Sequence, residues 1–229
     1  MKMDIKILGI SGSPIKEGNT VVFLAEALKA AGEWEGVSTE LVSLAGKDIR
    51  DCNHCNWCVS KQSEGNFCKQ RDDMQDIFPK IVEADGLMLA TPVYSTRLSG
   101  YMACFLDRWR IFGHGNHYKG SLKYKVGGAL AVGWYRNLGM EAALLSILPN
   151  LLIYGVIPVV PHLGLGAPGG AVGLSSEGGS GTFDAAERLG VLKDEYGLTS
   201  ARNLSRKMVD IIKLVRTGKE ALQAAPAGR

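Results

Sequence analysis

Apolar and polar positions along this chain fall into short strand-like runs separated by stretches of helical period. Asp4 to Ile10 is short, apolar and β-branched, the pattern of a parallel strand buried on both faces. Thr20 to Ala31 then repeats with a helical period. Val37 to Leu44 alternates as a second strand, and Asp72-Asp73 caps a helix running to about Glu83. Gly86 to Thr91 is a third strand and Ser99 to Phe112 an amphipathic helix. Val126 to Val132 is a fourth strand, a helix starts near Met140, and Val156 to Val160 is a fifth strand. Thr199 to Val215 reads as the last helix. Strands alternating with helices predict an α/β fold: a doubly wound five-stranded parallel sheet of order 2-1-3-4-5, with helices on both faces.

Two stretches break that rhythm. Ala45 to Arg71 is too long and irregular for an ordinary connection between a strand and a helix. Leu163 to Thr182 is rich in glycine and serine and reads as a long flexible loop, either a lid or an oligomer contact. Residues 1–217 are expected to form one domain, with 218–229 a flexible tail.

Composition narrows the function classes. The 229 residues are 46% hydrophobic and 21% charged, ordinary for a globular protein. The net charge of +3 comes with no basic stripe, which argues against nucleic acid. The apolar run Ala142 to Val160 is broken by Pro149-Asn150, Tyr154-Gly155 and Pro158, so it reads as a buried helix feeding a strand and not as a membrane span. Met1-Lys2-Met3-Asp4 leads straight into a strand with no signal-peptide core, so a cytoplasmic location is expected.

Chemistry concentrates in the first irregular stretch. Cys52, Cys55, Cys58 and Cys68 have the spacing Cys-x2-Cys-x2-Cys-x9-Cys. An odd cysteine total with most of the thiols in one cluster fits metal ligation better than a disulfide framework. Three cysteines at consecutive x2 gaps begin the bacterial ferredoxin pattern, in which thiolates hold a cubane. Structural zinc usually pairs one Cys-x2-4-Cys with a distant second pair, which suits this spacing less well. Zinc and a redox-active thiol set remain the alternatives. Cys104, among apolar neighbours, reads as a core residue. Asp107-Arg108 reads as a helix-surface or interface pair, with a brace on the ligand side as the other option. His114 and His117 read as a solvated turn, since no third ligand lies nearby.

Three further loops follow strands. Ser11-Gly12-Ser13-Pro14 through Thr20 lies between the first strand and its helix, where backbone N–H groups and the helix dipole favour an anion. Ser11, Ser13, Asn19 and Thr20 can add donors and Lys16 a charge; a plain capped helix start is the competing reading. The loop is neither a Walker A nor a dinucleotide fingerprint. Pro92-Val93-Tyr94-Ser95 ends the third strand, where it could lay an extended backbone and an aromatic along a flat ring or merely terminate the strand. Gly133-Trp134-Tyr135-Arg136 follows the fourth strand and is rich in groups that stack or donate.

Taken together, these residues resemble a known family. Ser-Gly-Ser-Pro-x4-Asn-Thr from Ser11 to Thr20 looks like the FMN phosphate loop of the NADPH-dependent FMN reductase branch of flavodoxin-like proteins. Cys52, Cys55, Cys58 and Cys68, with Asp72-Asp73-Met74, Glu83-Ala84-Asp85-Gly86 and Thr91-Pro92-Val93-Tyr94, resemble the iron–sulfur flavoproteins of that branch. The resemblance implies a flavodoxin-like fold, FMN, a [4Fe–4S] cluster and a homodimer or homotetramer. Ser11, Ser13, Lys16, Asn19 and Thr20 would then serve the phosphate. Pro92, Val93, Tyr94 and Ser95 would run beside the isoalloxazine, with Gly133, Trp134, Tyr135 and Arg136 at its other edge. Two departures stand out: the last cysteine gap is longer than the family's compact one, and Leu138-Gly139-Met140-Glu141 replaces its usual Gly-Gly-Gln-Glu.

The function this implies is FMN-dependent electron transfer between cluster and flavin. No side chain is nominated as a general base, because the cofactors carry the chemistry. The partners would be ferredoxin, NAD(P)H, quinone or oxygen-derived acceptors. The competitors are a cluster-free NAD(P)H-dependent FMN or quinone reductase, and a non-enzymatic carrier of the flavodoxin type.

Overall fold

The computed structural model describes residues 4–162, 164–182 and 186–224. Its strands are β1 (Ile5–Ser11), β2 (Val37–Ser43), β3 (Gly86–Tyr94), β4 (Arg97–Leu98), β5 (Val126–Gly133), β6 (Ile157–Val159) and β7 (Gly170–Leu174). Its helices are α1 (Asn19–Gly32), α2 (Trp57–Lys61), α3 (Met74–Glu83), α4 (Gly100–Asp107), α5 (Arg110–His114), α6 (Met140–Ile153) and α7 (Glu195–Ala224).

The sheet order is β2-β1-β3-β5-β6, with every pairing along that path parallel. This is the expected 2-1-3-4-5 arrangement once the two-residue β4, an antiparallel partner of β3, is set aside. β3 and β5 are apolar along nearly their whole length because both faces are covered. One core, including Phe23, Leu24, Met88, Leu204 and Met208, lies under α1 and α7. The other, including Phe78, Met102, Phe105, Trp109 and Ile147, lies under α3, α4, α5 and α6.

Three expectations change in detail. The Ser99–Phe112 helix is two helices, because Arg108 and Trp109 form an elbow between α4 and α5. The last helix runs on to Ala224, so residues 218–224, read as tail, are helical; residues 225–229 lie outside the described residues. The glycine-rich stretch contains β7, which extends the edge of β5 that β6 begins: β6 pairs Val126–Gly128 and β7 pairs Ala129–Gly133. Its glycines serve close packing there and not only flexibility. A methyl group at Gly170 would lie 2.1 Å from the Ala129 carbonyl oxygen, and one at Gly173 would lie 3.0 Å from the Phe23 ring. Leu163 lies outside the described residues.

The strand order reverses between β1 and β3, so the loops leaving β1 and β3 diverge and open a crevice at their carboxyl ends. Ser99 holds this edge together. It caps α4 by accepting from Met102 N–H at 3.1 Å, and its hydroxyl donates to Gly12 O at 2.6 Å. Its own N–H donates to Thr91 Oγ1 at 3.0 Å. Ser99→Ala would leave a buried carbonyl and a buried N–H without partners, and is expected to lower the unfolding free energy by about 2 kcal/mol. Urea unfolding followed by circular dichroism measures this directly.

Candidate functional site

The crevice is a cavity of about 670 Å³ lined by the β1–α1 loop, the end of β3, the β5–α6 loop and the segment after β7. That size suits a single small-molecule cofactor. Ser13, Gly18, Asn19 and Thr20 line it from the first loop. Ser11 is buried behind them, where its Oγ accepts the Ser13 N–H at 3.4 Å. Ser13 Oγ in turn accepts the Ile15 N–H at 3.1 Å, so both hydroxyls set the loop's shape. Gly18 precedes α1 without a side-chain cap and the first turn holds no acidic residue, so the leading N–H groups are not taken up by a side chain of the helix start.

Of the expected phosphate ligands, Asn19 has other partners and Lys16 lies off the cavity. The Asn19 side chain donates to Arg188 O at 3.2 Å and accepts the Val191 N–H at 3.0 Å, so it tethers a segment more than 160 residues away in sequence. Lys16 is not among the lining residues and lies beside Gly46, at the start of the cysteine-rich excursion. Arg188 is the only Lys or Arg among the described lining residues. Its sequence surroundings gave no signal of this, because the contact depends on the Asn19 clamp.

Pro92, Val93 and Tyr94 line the next wall. Partial burial raises the Tyr94 phenol pKa, so that group is neutral at physiological pH. Ser95 and Thr96 form the two-residue turn of the β3–β4 hairpin, both at positive φ (49° and 62°). Such a turn normally recruits Gly or Asn. Ser95 does not line the cavity. Behind this turn sits Gly139, at φ +84°, where a methyl group would lie 2.4 Å from Thr96 Cα.

From the β5–α6 loop only Trp134 reaches the cavity. Gly133 ends β5 packed against Met140. Tyr135 and Arg136 turn away and hold the segment after β7. Arg136 donates from its backbone N–H to Gly179 O and from Nε to Gly178 O, each at 3.2 Å, and the Tyr135 ring covers Gly181. That segment supplies Ser175, Ser176, Glu177 and Thr182 to the wall. These were missed in the sequence because glycine richness masked the strand that delivers them.

The cysteine excursion lies on the face of α3, α4 and α5. Its only helix is the five-residue α2. Order comes from side chains that replace a backbone ladder. The buried Gln62 accepts the His117 and Tyr118 N–H groups at 3.3 and 3.2 Å and donates to Phe67 O at 2.8 Å, while its N–H donates to Asn116 Oδ1 at 2.9 Å. Phe67 stacks on Tyr118 and Phe78 at 4.2 and 5.4 Å between centroids. The His114–His117 turn has exposed His114, Asn116 and His117, as read, and through Asn116 and its backbone it also anchors the excursion. Arg108, read as a surface or interface residue, is buried against the fully buried Asp72 side chain. Removing a charged pair from water requires partners on both sides, and Asp72 also accepts the Arg50 and Met74 N–H groups at 3.3 Å each.

Within this frame Cys58 is buried, Cys52 and Cys68 are half-buried, and Cys55 is exposed. Burial pushes the Cys58 thiol pKa up; Arg110 opposes that, and Cys68 and Cys52 add to it. No three His, Cys, Asp or Glu side chains among the described residues converge on one metal ion. A cubane places each thiolate on its own corner, so its donor set does not share one centre.

Comparison with known proteins agrees with the fold. The family model described as NADPH-dependent FMN reductase matches residues 5–166. The chain belongs to that family. It is also 39% identical over 213 residues to an iron–sulfur flavoprotein of Methanocaldococcus jannaschii, covering 93% of this chain and 100% of that one. An iron–sulfur flavoprotein of Archaeoglobus fulgidus is 33% identical over 208 residues, covering 90% of this chain and 97% of that one. A solved flavodoxin, WrbA-like protein of Agrobacterium tumefaciens matches with a TM-score of 0.55 at 16% identity, covering 92% of this chain and 98% of that one, which speaks to the fold alone.

This FMN reductase family member is thus a flavodoxin-like, flavin-dependent oxidoreductase. No helix among the described residues is long and apolar enough to cross a membrane. The cavity suits FMN: an uncapped helix start and hydroxyls at one end, and Pro92, Tyr94 and Trp134 for a flat ring. Gly139→Ala forces a left-handed residue into the back of the Ser95–Thr96 turn. It is expected to weaken FMN binding about tenfold or more, equivalent to about 1.4 kcal/mol. Quenching of flavin fluorescence on titration with apoprotein measures it.

Proposed function

We propose that this protein is an FMN-dependent redox protein in which Cys52, Cys55, Cys58 and Cys68 hold a [4Fe–4S] cluster that exchanges electrons with the flavin. The observation that carries this is the pairing of four thiols on one braced excursion with two buried arginine donors that lack acceptors: Arg108 Nη2, whose guanidinium interacts with Cys68, and Arg110 Nε, whose charge acts on Cys58. Native structures rarely bury donors without partners, and an absent group rich in sulfur acceptors accounts for these. Iron–sulfur flavoproteins among the relatives support the same reading. The excursion leaves the sheet at Ser43, which pairs with Ser11, so it begins beside the start of the phosphate-side loop.

When bound, FMN supplies two-electron and one-electron chemistry and the cluster supplies one-electron transfer. The chain supplies binding and access. The α1 start with Ser13 and Thr20 would hold the phosphate. Pro92, Val93, Tyr94 and Trp134 would flank the ring and shield it from water. Arg188 would add a charge over the cavity mouth. Ferredoxin, NAD(P)H, quinone or an oxygen-derived acceptor would exchange electrons with the pair.

Self-association is part of the proposal. Leu145, Leu152 and Ile153 are 48%, 57% and 79% exposed on α6, and their spacing puts them on one side of the helix. An apolar stripe of this kind marks a covered surface, and a second copy of the chain, as a homodimer or homotetramer, is its proposed cover. Leu152→Glu with Ile153→Glu is expected to yield monomer by sedimentation velocity while FMN stays bound. An unchanged oligomer would rule this stripe out as the contact.

The cluster is tested by anaerobic purification with iron, acid-labile sulfide and FMN counted together. About four iron and four sulfide per FMN are expected, falling to near zero in Cys58→Ser with the flavin retained. FMN without iron or sulfide would leave a plain flavin reductase.

A further inference from the structure

Arg108 caps the C-terminal end of α4 and is 1% exposed. The two arms of its guanidinium fork meet different surroundings. Nη1 donates to Arg50 O at 3.0 Å and to the Asp72 carboxylate. Nη2 is equally buried and has no acceptor. A structural ion pair accounts for the first arm only. The guanidinium interacts with the Cys68 side chain as well as with Asp72, and Nη2 is the arm left without an acceptor. Its neighbours agree: Arg110 Nε also lacks an acceptor, and the Arg110 charge is felt at Cys58.

We infer that Arg108 is a positioning residue for the iron–sulfur site, its Nη2 donating a hydrogen bond to the Cys68 sulfur and its fixed charge raising that site's reduction potential. This rests on the four-cysteine reading above. One electron, arriving from reduced flavin or from dithionite, adds one negative charge to a site already built of thiolates and sulfides. No proton has to accompany it, because a guanidinium that stays charged is already in place. Hydrogen bonds to the sulfurs and nearby charge are among the levers that set such potentials. Asp72 keeps the arginine aimed and offsets part of its delocalised charge, leaving Nη2 as the positive end of the pair.

The test is a potentiometric titration read by electron paramagnetic resonance, on protein purified without air, with iron, sulfide and FMN counted in every sample. Arg108→Lys keeps a charge for Asp72 but lacks a fork that can serve two partners. Arg108→Gln combined with Asp72→Asn removes both charges, so no lone carboxylate is left buried, and it is compared with Asp72→Asn alone. Each arginine variant is expected to keep its iron and to shift the oxidised-to-reduced equilibrium about tenfold or more toward the oxidised form, which is 59 mV for one electron. The flavin potential should not move, and the shift should be the same at two pH values. Iron loss from both arginine variants, with FMN and melting temperature retained and Asp72→Asn still loaded, also supports the inference, because the second arm then holds the site itself. Full iron with unshifted potentials overturns it. Wild-type protein without iron or sulfide would instead overturn the cluster reading, a separate and visible outcome. Should the double variant not fold, Arg108→Lys decides alone.

Discussion

The Asp72–Arg108 ion pair is the contact on which the cysteine-bearing half of the molecule depends. Both side chains are buried, so each would be a heavy liability without the other. Around them converge three pieces of chain that share no regular ladder: the excursion through Arg50, the start of α3 through Met74, and the α4–α5 elbow. The pair does not earn its place by net stability, because an apolar pair of similar volume could serve that end as well. What it provides is direction. A guanidinium fixed at one arm points its other arm, and the elbow that breaks the predicted helix in two sets Arg108 toward Arg50 and Asp72 and Arg110 toward Asn56 in the excursion.

The flavin side is built on another principle. One lining residue, Glu187, pairs with Lys193 at 2.6 Å, but that pair lies within a single segment. The crevice loops are locked to one another by hydroxyls and glycines at points of close approach: Ser99 between Gly12 and Thr91, Gly139 behind Thr96, Tyr135 over Gly181. Each lock joins segments that follow different strands, so the cavity's shape is a property of the whole carboxyl edge. The lining holds Glu17, Glu177 and Glu187 against one arginine. An anion there must be held mainly by N–H and O–H donors, and the uncapped start of α1 is suited to that because its dipole is not spent on a side chain.

The sheet was legible in the sequence because its strands are short apolar runs whose burial on both faces leaves little ambiguity. Ser13, Thr20, Pro92, Val93, Tyr94 and Trp134 were legible as lining residues because strand ends in such a sheet must face the crevice. The polar loop residues were harder to place, for one reason. Asn19, Lys16, Tyr135 and Arg136 were judged by chemical type within their own loops, whereas their partners lie in segments distant in sequence. A polar residue near a site can bind a ligand or hold the wall, and local pattern does not separate the two. Glycine richness misled in the same way. At Gly170 and Gly173 it reports backbone and ring packing at close quarters, a constraint set by β5 and α1 and invisible from the stretch itself.

The two halves nonetheless solve the same problem. Adding charge inside a protein is costly when solvent must rearrange to meet it, and cheap when oriented donors already wait in place. Around the crevice the waiting donors are backbone N–H groups and hydroxyls fixed by loop-to-loop locks. Around the thiols, on the proposed reading, the donor would be the free arm of Arg108, whose other arm is held by the buried Asp72 carboxylate. Neutral donors suit a site that must take up and release a whole cofactor, because no buried charge is stranded when it leaves. A fixed cation would suit the proposed iron–sulfur site, assembled once and then cycled in charge by electrons alone. The different chemistry of the two ends follows from that difference in what each is asked to hold.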